Sequence, residues 1–211
     1  MYIVADDLGY GDLSCENEDS RLRTDNIDSL ARDGILFTDA HSGSAVCTPT
    51  RYGILTGRYC WRSRLKEGVL WGYSRSLIPP DRLTVASLLK RHNYNTACIG
   101  KWHLGLNWYL KDNRIPEDNP EEKGENVDLS KPIQGGPLDL GFDYFFGISA
   151  SLDMPPYVYI ENNRVTSLPD RETENRGKKF WRKGPTGADF RHIEVLPRLT
   201  QKAVDYIDRQ A

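Results

Sequence analysis

The sequence predicts an α/β fold, a mainly parallel mixed sheet sandwiched by helices. Short apolar runs at 2–5, 35–38, 96–99, 142–148 and 157–160 have strand character. Helical stripes lie between the first three of them, and strand–helix–strand alternation is the pattern of a parallel sheet. Residues that carry chemistry follow directly on two of the strands, Asp6-Asp7 after the first and Lys101 and His103 after the third. In open α/β sheets ligands gather at the carboxyl ends of the strands.

Each element has a local cause. Met1 to Ala5 opens as an apolar strand that runs into Asp6-Asp7-Leu8-Gly9-Tyr10-Gly11-Asp12. Thr24 and Asp25 supply helix-capping chemistry, Ile27, Leu30 and Ala31 the apolar stripe, and Gly34 the stop. Ile35 to Thr38 reads as the second strand. A short helix follows Pro49, whose missing N–H costs nothing in a first helical turn. Leu83 to Arg91 reads as a helix with Val85, Leu88 and Leu89 as its core face, and Thr96 to Ile99 as the third strand. Residues 107–137 and 161–190 are polar and read as insertions. The last stretch is helical, with Leu196, Leu199, Ala203, Tyr206 and Ile207 on one face.

Composition excludes several classes. The chain has 211 residues, long enough to bury a core without disulfides. Its 28 basic and 30 acidic side chains leave a formal charge of −2, which argues against a nucleic-acid binder. The basic stretch at 176–179 reads as solvated surface. No apolar run approaches the roughly 20 residues of a membrane span, and no signal peptide is legible at the start. The four cysteines form no CxxC pair, so a zinc site is not expected. Cys98, in an apolar run, reads as a buried inert thiol.

Three clusters carry chemistry. Asp6 and Asp7 repel each other unless a cation sits between them, and oxygen ligands favour Ca²⁺, with Mg²⁺ the other hard cation. A turn capped by these side chains is the alternative. Cys47 stands at or just before a helix start, where free N–H groups and the positive dipole end favour an anion. Arg51 is one turn on and offers a bidentate fork. A cysteine nucleophile and an ordinary buried cysteine are both compatible with this setting. Lys101 and His103 point the same way if their segment is extended, offering a compact cation and a proton carrier. Surface residues are the alternative. Together the clusters form the equipment of an oxyanion ester hydrolase: cations to stabilise charge, an anion-binding helix start and a proton carrier.

These residues resemble the type I, formylglycine-dependent sulfatase family, in its arylsulfatase-like form. Cys-Thr-Pro-Thr-Arg at 47–51 is similar to the family's C-x-P-x-R signature, with Thr50 where Ser is common. Leu-Thr-Gly-Arg at 55–58 is similar to its continuation. Asp-Asp-Leu-Gly-Tyr-Gly-Asp at 6–12 resembles the opening metal motif, and Gly-Lys-Trp-His-Leu-Gly at 100–105 the second signature. Residues 142–147 and 151–153 resemble the next strand and active-site loop.

The resemblance implies an alkaline-phosphatase/sulfatase-like fold and sulfuric ester hydrolysis on an aryl or carbohydrate sulfate. Cys47 would be oxidised to formylglycine by a maturation enzyme. Asp6, Asp7 and the residue at Cys47 would meet Ca²⁺. Arg51 would hold the aldehyde hydrate, Lys101 would contact the hydrate and a sulfate oxygen, and His103 would assist release of sulfate. Ser151 would be a substrate-side contact. Phosphodiester or phosphonate monoester hydrolysis on the same fold, and a non-catalytic module, are the other readings. The family's downstream Asp-Asn pair and later His and Lys find no match, and His192 receives no catalytic role. The chain is therefore expected to be the N-terminal part of a larger catalytic domain, inactive alone, weak in Ca²⁺ binding and prone to self-association. The partners expected are a sulfated small molecule or glycan and no nucleic acid. By family habit the location is periplasmic, secreted or lysosomal. Arg62, Arg64 and Lys66 are candidates to read an anionic sugar.

Overall fold

The computed structural model describes residues 1–116 and 124–210, in two compact units, Met1–Ser42 and Gly43–Ala211. Part of the expected 107–137 insertion, residues 117–123, lies outside the described residues.

The first unit contains helix α1 (Asp25–Asp33) and a single 3₁₀ turn at Tyr10–Asp12. The helix stands where the sequence places it, but Thr24 does not cap it through its side chain. Thr24 Oγ1 instead bonds Asp28 at 2.7 Å and Ser14 at 2.8 Å. The hydroxyls of Ser14 and Thr24, donated to its carboxylate, hold the Asp28 pKa below the usual range. The strands expected at 2–5 and 35–38 are absent. A strand exists only through the partner that takes its backbone groups, and neither run has one here. No residue of this unit is buried, so the stripe of Ile27 and Leu30 on α1 is exposed.

The second unit is built on an α/β frame with a mixed four-stranded sheet, in the order β1 (Ala97–Lys101), β2 (Tyr144–Ile148), β3 (Ile160–Glu161), β4 (Arg164–Val165). The β1–β2 pair is parallel, with Gly100 opposite Gly147; the other two pairs are antiparallel. Asp143 fixes the start of the parallel pair. Its carboxylate accepts from the Thr96 N–H at 3.0 Å and the Thr96 hydroxyl at 2.9 Å, and pairs with Lys90 at 2.5 Å. The Lys90 hydrogen bond first, and the Thr96 donors next, hold its pKa at about 2.

Successive strand residues face opposite sides of a sheet. Phe145 accordingly joins a core with Tyr52, Leu70, Trp102 and Trp108, while Phe146 joins another with Tyr157, Tyr159, Phe190 and Val195. Both phenylalanines are fully buried, each worth about 1.5–3 kcal/mol. Helix α2 (Cys47–Thr56) supplies Tyr52 to the first core, and helix α4 (Val195–Gln210) supplies Val195 to the second. The sheet thus has a helix on each side.

Helix α3 (Val85–Arg91) begins at Thr84, whose hydroxyl accepts from the Ser87 N–H at 3.0 Å. Its buried residue is Ala86; the expected core face of Val85, Leu88 and Leu89 is exposed. On α4 the half-buried residues are Arg198, Leu199, Lys202, Ala203 and Tyr206, with Leu196 and Ile207 exposed. The apolar stripe is narrower than its sequence because Lys202 takes an inward place through its ion pair with Glu161. The 161–190 stretch holds an antiparallel ribbon, β5 (Pro169–Asn175) and β6 (Trp181–Gly187). Leu106, Trp108 and Ile133, in and beside the 107–137 stretch, belong to the first core.

Candidate active site

Five of the candidate residues, Cys47, Arg51, Lys101, His103 and Ser151, lie around the start of α2 and the carboxyl ends of β1 and β2. Cys47 is the first helical residue of α2, preceded by extended Val46. It is half-buried, and α2, at ten residues, is long enough to present free N–H groups at its start. All four cysteines are free thiols. Cys98 packs against the first core, and burial pushes its thiol up to about 12 against the opposing Arg51 charge. The thiol is half-buried rather than buried as expected, and it lies close enough to Arg51 to feel its charge.

Thr48 was not singled out by sequence reasoning, yet it ties the site together. It is fully buried, donates its hydroxyl to the His103 carbonyl at 2.9 Å, and accepts from the Leu70 N–H at 3.2 Å. The Leu70 carbonyl in turn lies 2.7 Å from His103 Nε2. A carbonyl only accepts, so Nε2 carries the proton and Nδ1 is the basic nitrogen of the neutral ring. Nothing in a Cys-Thr-Pro sequence marks the threonine as a buried linker; the signal is tertiary. Thr48→Val is isosteric but leaves the Leu70 N–H and His103 carbonyl buried without that partner. The expected cost is about 1–3 kcal/mol for each group, read as a lower denaturation midpoint.

Lys101 ends β1, and its amine reaches Ser151 Oγ at 3.4 Å, three residues past the end of β2. Arg51 spans the gap from α2, donating Nη1 to the Lys101 carbonyl at 2.6 Å. The fork foreseen for an anion therefore has at least one arm on the protein backbone. Lys101 and His103 do not share the extended segment expected of them. His103 is left-handed, with φ of 57°, so the alternation rule stops at Trp102 and the ring turns into the interior toward Leu70. The segment is fixed by Trp102 and His103 donating to the carbonyls of Ile148 and Ser149, both at 3.0 Å. Gly105 closes it with φ of 77°, where a Cβ would stand 2.1 Å from the Arg75 carbonyl oxygen. This explains the final glycine of the Gly-Lys-Trp-His-Leu-Gly motif.

Asp6 and Asp7 belong to the first unit. Both are exposed, and Asp7 has a left-handed backbone with φ of 60°. Two hard oxygen donors on adjacent residues suit Ca²⁺ in kind, but that ion takes six to eight ligands. Among the described residues no group of three or more His, Cys, Asp or Glu side chains is placed to hold a metal. The carboxylate pair fits part of such a site. Of the other candidates, Lys66 bonds the Trp61 carbonyl at 3.0 Å, while Arg62 and Arg64 line a cavity discussed below. His192 stacks on Trp181 at 3.8 Å, and burial pushes its pKa below the usual value. It is an aromatic packing residue. No described helix is long and apolar enough to cross a membrane.

The model of the sulfatase family matches residues 1–210. The chain is 40% identical over 168 residues to the N-acetylgalactosamine-6-O-sulfatase of Bacteroides thetaiotaomicron, covering 80% of this chain and 30% of that protein. It is 39% identical over 154 residues to human steryl-sulfatase, covering 71% of this chain and 23% of that protein. Among solved structures, one from the metabolism of multiple glycosaminoglycans by Bacteroides thetaiotaomicron superposes with a TM-score of 0.78 at 30% identity. It covers 99% of this chain and 47% of the other. The chain thus spans under a third of the curated relatives it matches. With its fold, its motif residues and these relatives in agreement, the chain belongs to the sulfatase family.

Proposed function

We propose that the protein carrying this chain hydrolyses a sulfate ester of a carbohydrate, using a formylglycine derived from Cys47. The observation that carries the reading is the convergence of the α2 start, Arg51, Lys101, Ser151 and His103 at the ends of two parallel strands. A carbohydrate substrate is favoured because one relative is named for N-acetylgalactosamine 6-sulfate and the superposed structure for glycosaminoglycan metabolism.

A hydrated formylglycine supplies a hydroxyl nucleophile and a second hydroxyl that lets sulfate leave without direct attack by water on a covalent sulfo-ester. The chain's own residues do the rest. The N–H groups at the α2 start and the Arg51 guanidinium place positive charge around residue 47. The Lys101 amine, steadied by Ser151, offers a compact cation for a sulfate oxygen. His103, with its Nε2 proton held on Leu70, presents its basic face at Nδ1 for a proton from the hydrated side chain. Asp6 and Asp7 would contribute oxygens to Ca²⁺, which would offset negative charge on the sulfate.

The test is the mass of the peptide containing Cys47, from protein produced with a formylglycine-generating enzyme. The expected peptide is lighter by the exchange of sulfur for oxygen and the loss of two hydrogens. An unmodified cysteine in protein that nonetheless hydrolyses sulfate esters would overturn the mechanism.

A further inference from the structure

A cavity of about 760 Å³ lies within the second unit, around Tyr52 and beyond the carboxyl end of α2. None of Cys47, Arg51, Lys101, His103 or Ser151 lines it. Cys47 opens α2 and Arg58 follows its end; at 1.5 Å per residue the helix separates them by roughly 15 Å. The cavity is therefore a separate place from the candidate active site.

Its lining is strongly one-sided in charge. Among the described residues, the lining brings Arg58, Arg62, Arg64, Arg75 and Arg82 together with one carboxylate, Asp139. Asp139 already accepts from the Gly135 N–H at 2.6 Å. Arg58, Arg62, Arg64 and Arg82 form no ion pair among the described residues. Arg64 instead spends an Nη on neutral acceptors, the carbonyls of Arg75 and Ser76. Burial of its head group, and then the charge of Arg75, push its pKa down although much of the side chain is open to solvent. Arg82 is half-buried, and its Nε is inaccessible and has no hydrogen-bond partner. The lining thus carries more positive charge than its own carboxylate offsets, and an incoming oxyanion would complement it.

The rest of the wall narrows the ligand. Ser63, Ser76, Asn107 and Gln134 bring hydroxyl and amide groups that suit neutral hydroxyls. Ile78, Pro79 and Pro80 add an apolar surface for the C–H faces of a ring. The volume falls in the range of small-molecule sites, roughly 300–1,000 Å³. From this combination we propose that the cavity binds an anionic saccharide carrying two or more oxyanion groups, at a site independent of Cys47. The arginines grip the oxyanions, the amides meet the hydroxyls, and the proline edge lies against a sugar face.

Calorimetric titration of the chain tests this with three probes: inorganic sulfate, a neutral oligosaccharide and a doubly sulfated oligosaccharide of the same backbone. The sulfated oligosaccharide is expected to bind at least about tenfold tighter than either other probe, with affinity falling as salt rises. Arg62→Glu, on an exposed side chain, and Arg82→Gln are each expected to weaken it about tenfold or more with an unchanged circular dichroism spectrum. Cys47→Ala is expected to leave the affinity unaltered, so a failure of the reading of Cys47 does not touch this result. Equal affinity for the neutral or inorganic probe, no effect of Arg62→Glu and Arg82→Gln, or loss of binding in Cys47→Ala would overturn the proposal.

Discussion

If the protein carrying this chain hydrolyses sulfate esters as proposed, its rate is expected to fall by about 10⁴-fold or more when Cys47 is replaced by alanine. The size follows from the role. No other side chain in the cluster is placed to replace it: Arg51 donates to the Lys101 carbonyl, the Lys101 amine lies on Ser151, and the His103 ring is buried with Nε2 committed to Leu70. Of the nearby hydroxyls, Ser151 lies on the lysine amine, and those of Thr48 and Thr50 are donated to the carbonyls of His103 and Ser44. The fold should hardly notice the change. Cys47 is half-buried at a helix start and alanine is a good helix former, so stability should move by less than about 0.5 kcal/mol. Loss of rate without loss of stability is thus the signature, read by aryl sulfate turnover beside a thermal melt. Cys15→Ala, in the first unit, serves as the thiol control and should retain full rate. Retention of activity in Cys47→Ala would end the assignment.

Gly147→Ala is expected to cost at least about 3 kcal/mol, the largest stability effect of any single methyl added to this sheet. Gly147 faces Gly100 in the parallel β1–β2 register, and a Cβ on it would stand 1.8 Å from the Gly100 carbonyl oxygen. Neither backbone can yield readily. Gly100 is anchored in β1 directly before Lys101, and Gly147 lies between the buried side chains of Phe146 and Ile148. The expected drop in melting temperature is about 6–12 °C for a unit of this size. Gly53→Ala is the matched control. It sits inside α2 with its nearest neighbour at an ordinary 3.6 Å, so it should be neutral or stabilising by about 0.5–1 kcal/mol. A Gly147→Ala protein that melts like the parent would show that the strands separate more easily than their register implies.

How much of this was legible in the sequence depended on where the information resides. The start of α2, β1 and β2, and the residues on them, are marked by local chemistry: a proline in the first turn, an apolar run, a glycine that ends it. The contact of Lys101 with Ser151 follows from the rule that strand ends gather functional groups. The runs at 2–5 and 35–38 have the same local character as β1, yet form no strand, because pairing is a property of two segments and local character belongs to one. The β5–β6 ribbon failed in the other direction. Its first strand, Pro-Asp-Arg-Glu-Thr-Glu-Asn, is polar throughout and mostly exposed, so no apolar alternation betrays it. Thr48 and the turn at His103 were invisible for a third reason. A buried threonine and a left-handed histidine take their meaning from Leu70, more than twenty residues from one and more than thirty from the other.

Leu70 itself has one more consequence. What it gives the site comes from its peptide groups: its N–H meets Thr48 and its carbonyl meets His103. Its side chain only fills the core. The position is therefore tolerant in composition and intolerant in length. Exchanging Leu70 for another aliphatic residue leaves both hydrogen bonds in place. Adding or deleting one residue between the end of α2 and Leu70 would put the wrong peptide opposite both Thr48 and His103. The spacing of this loop, rather than its spelling, is what the site reads.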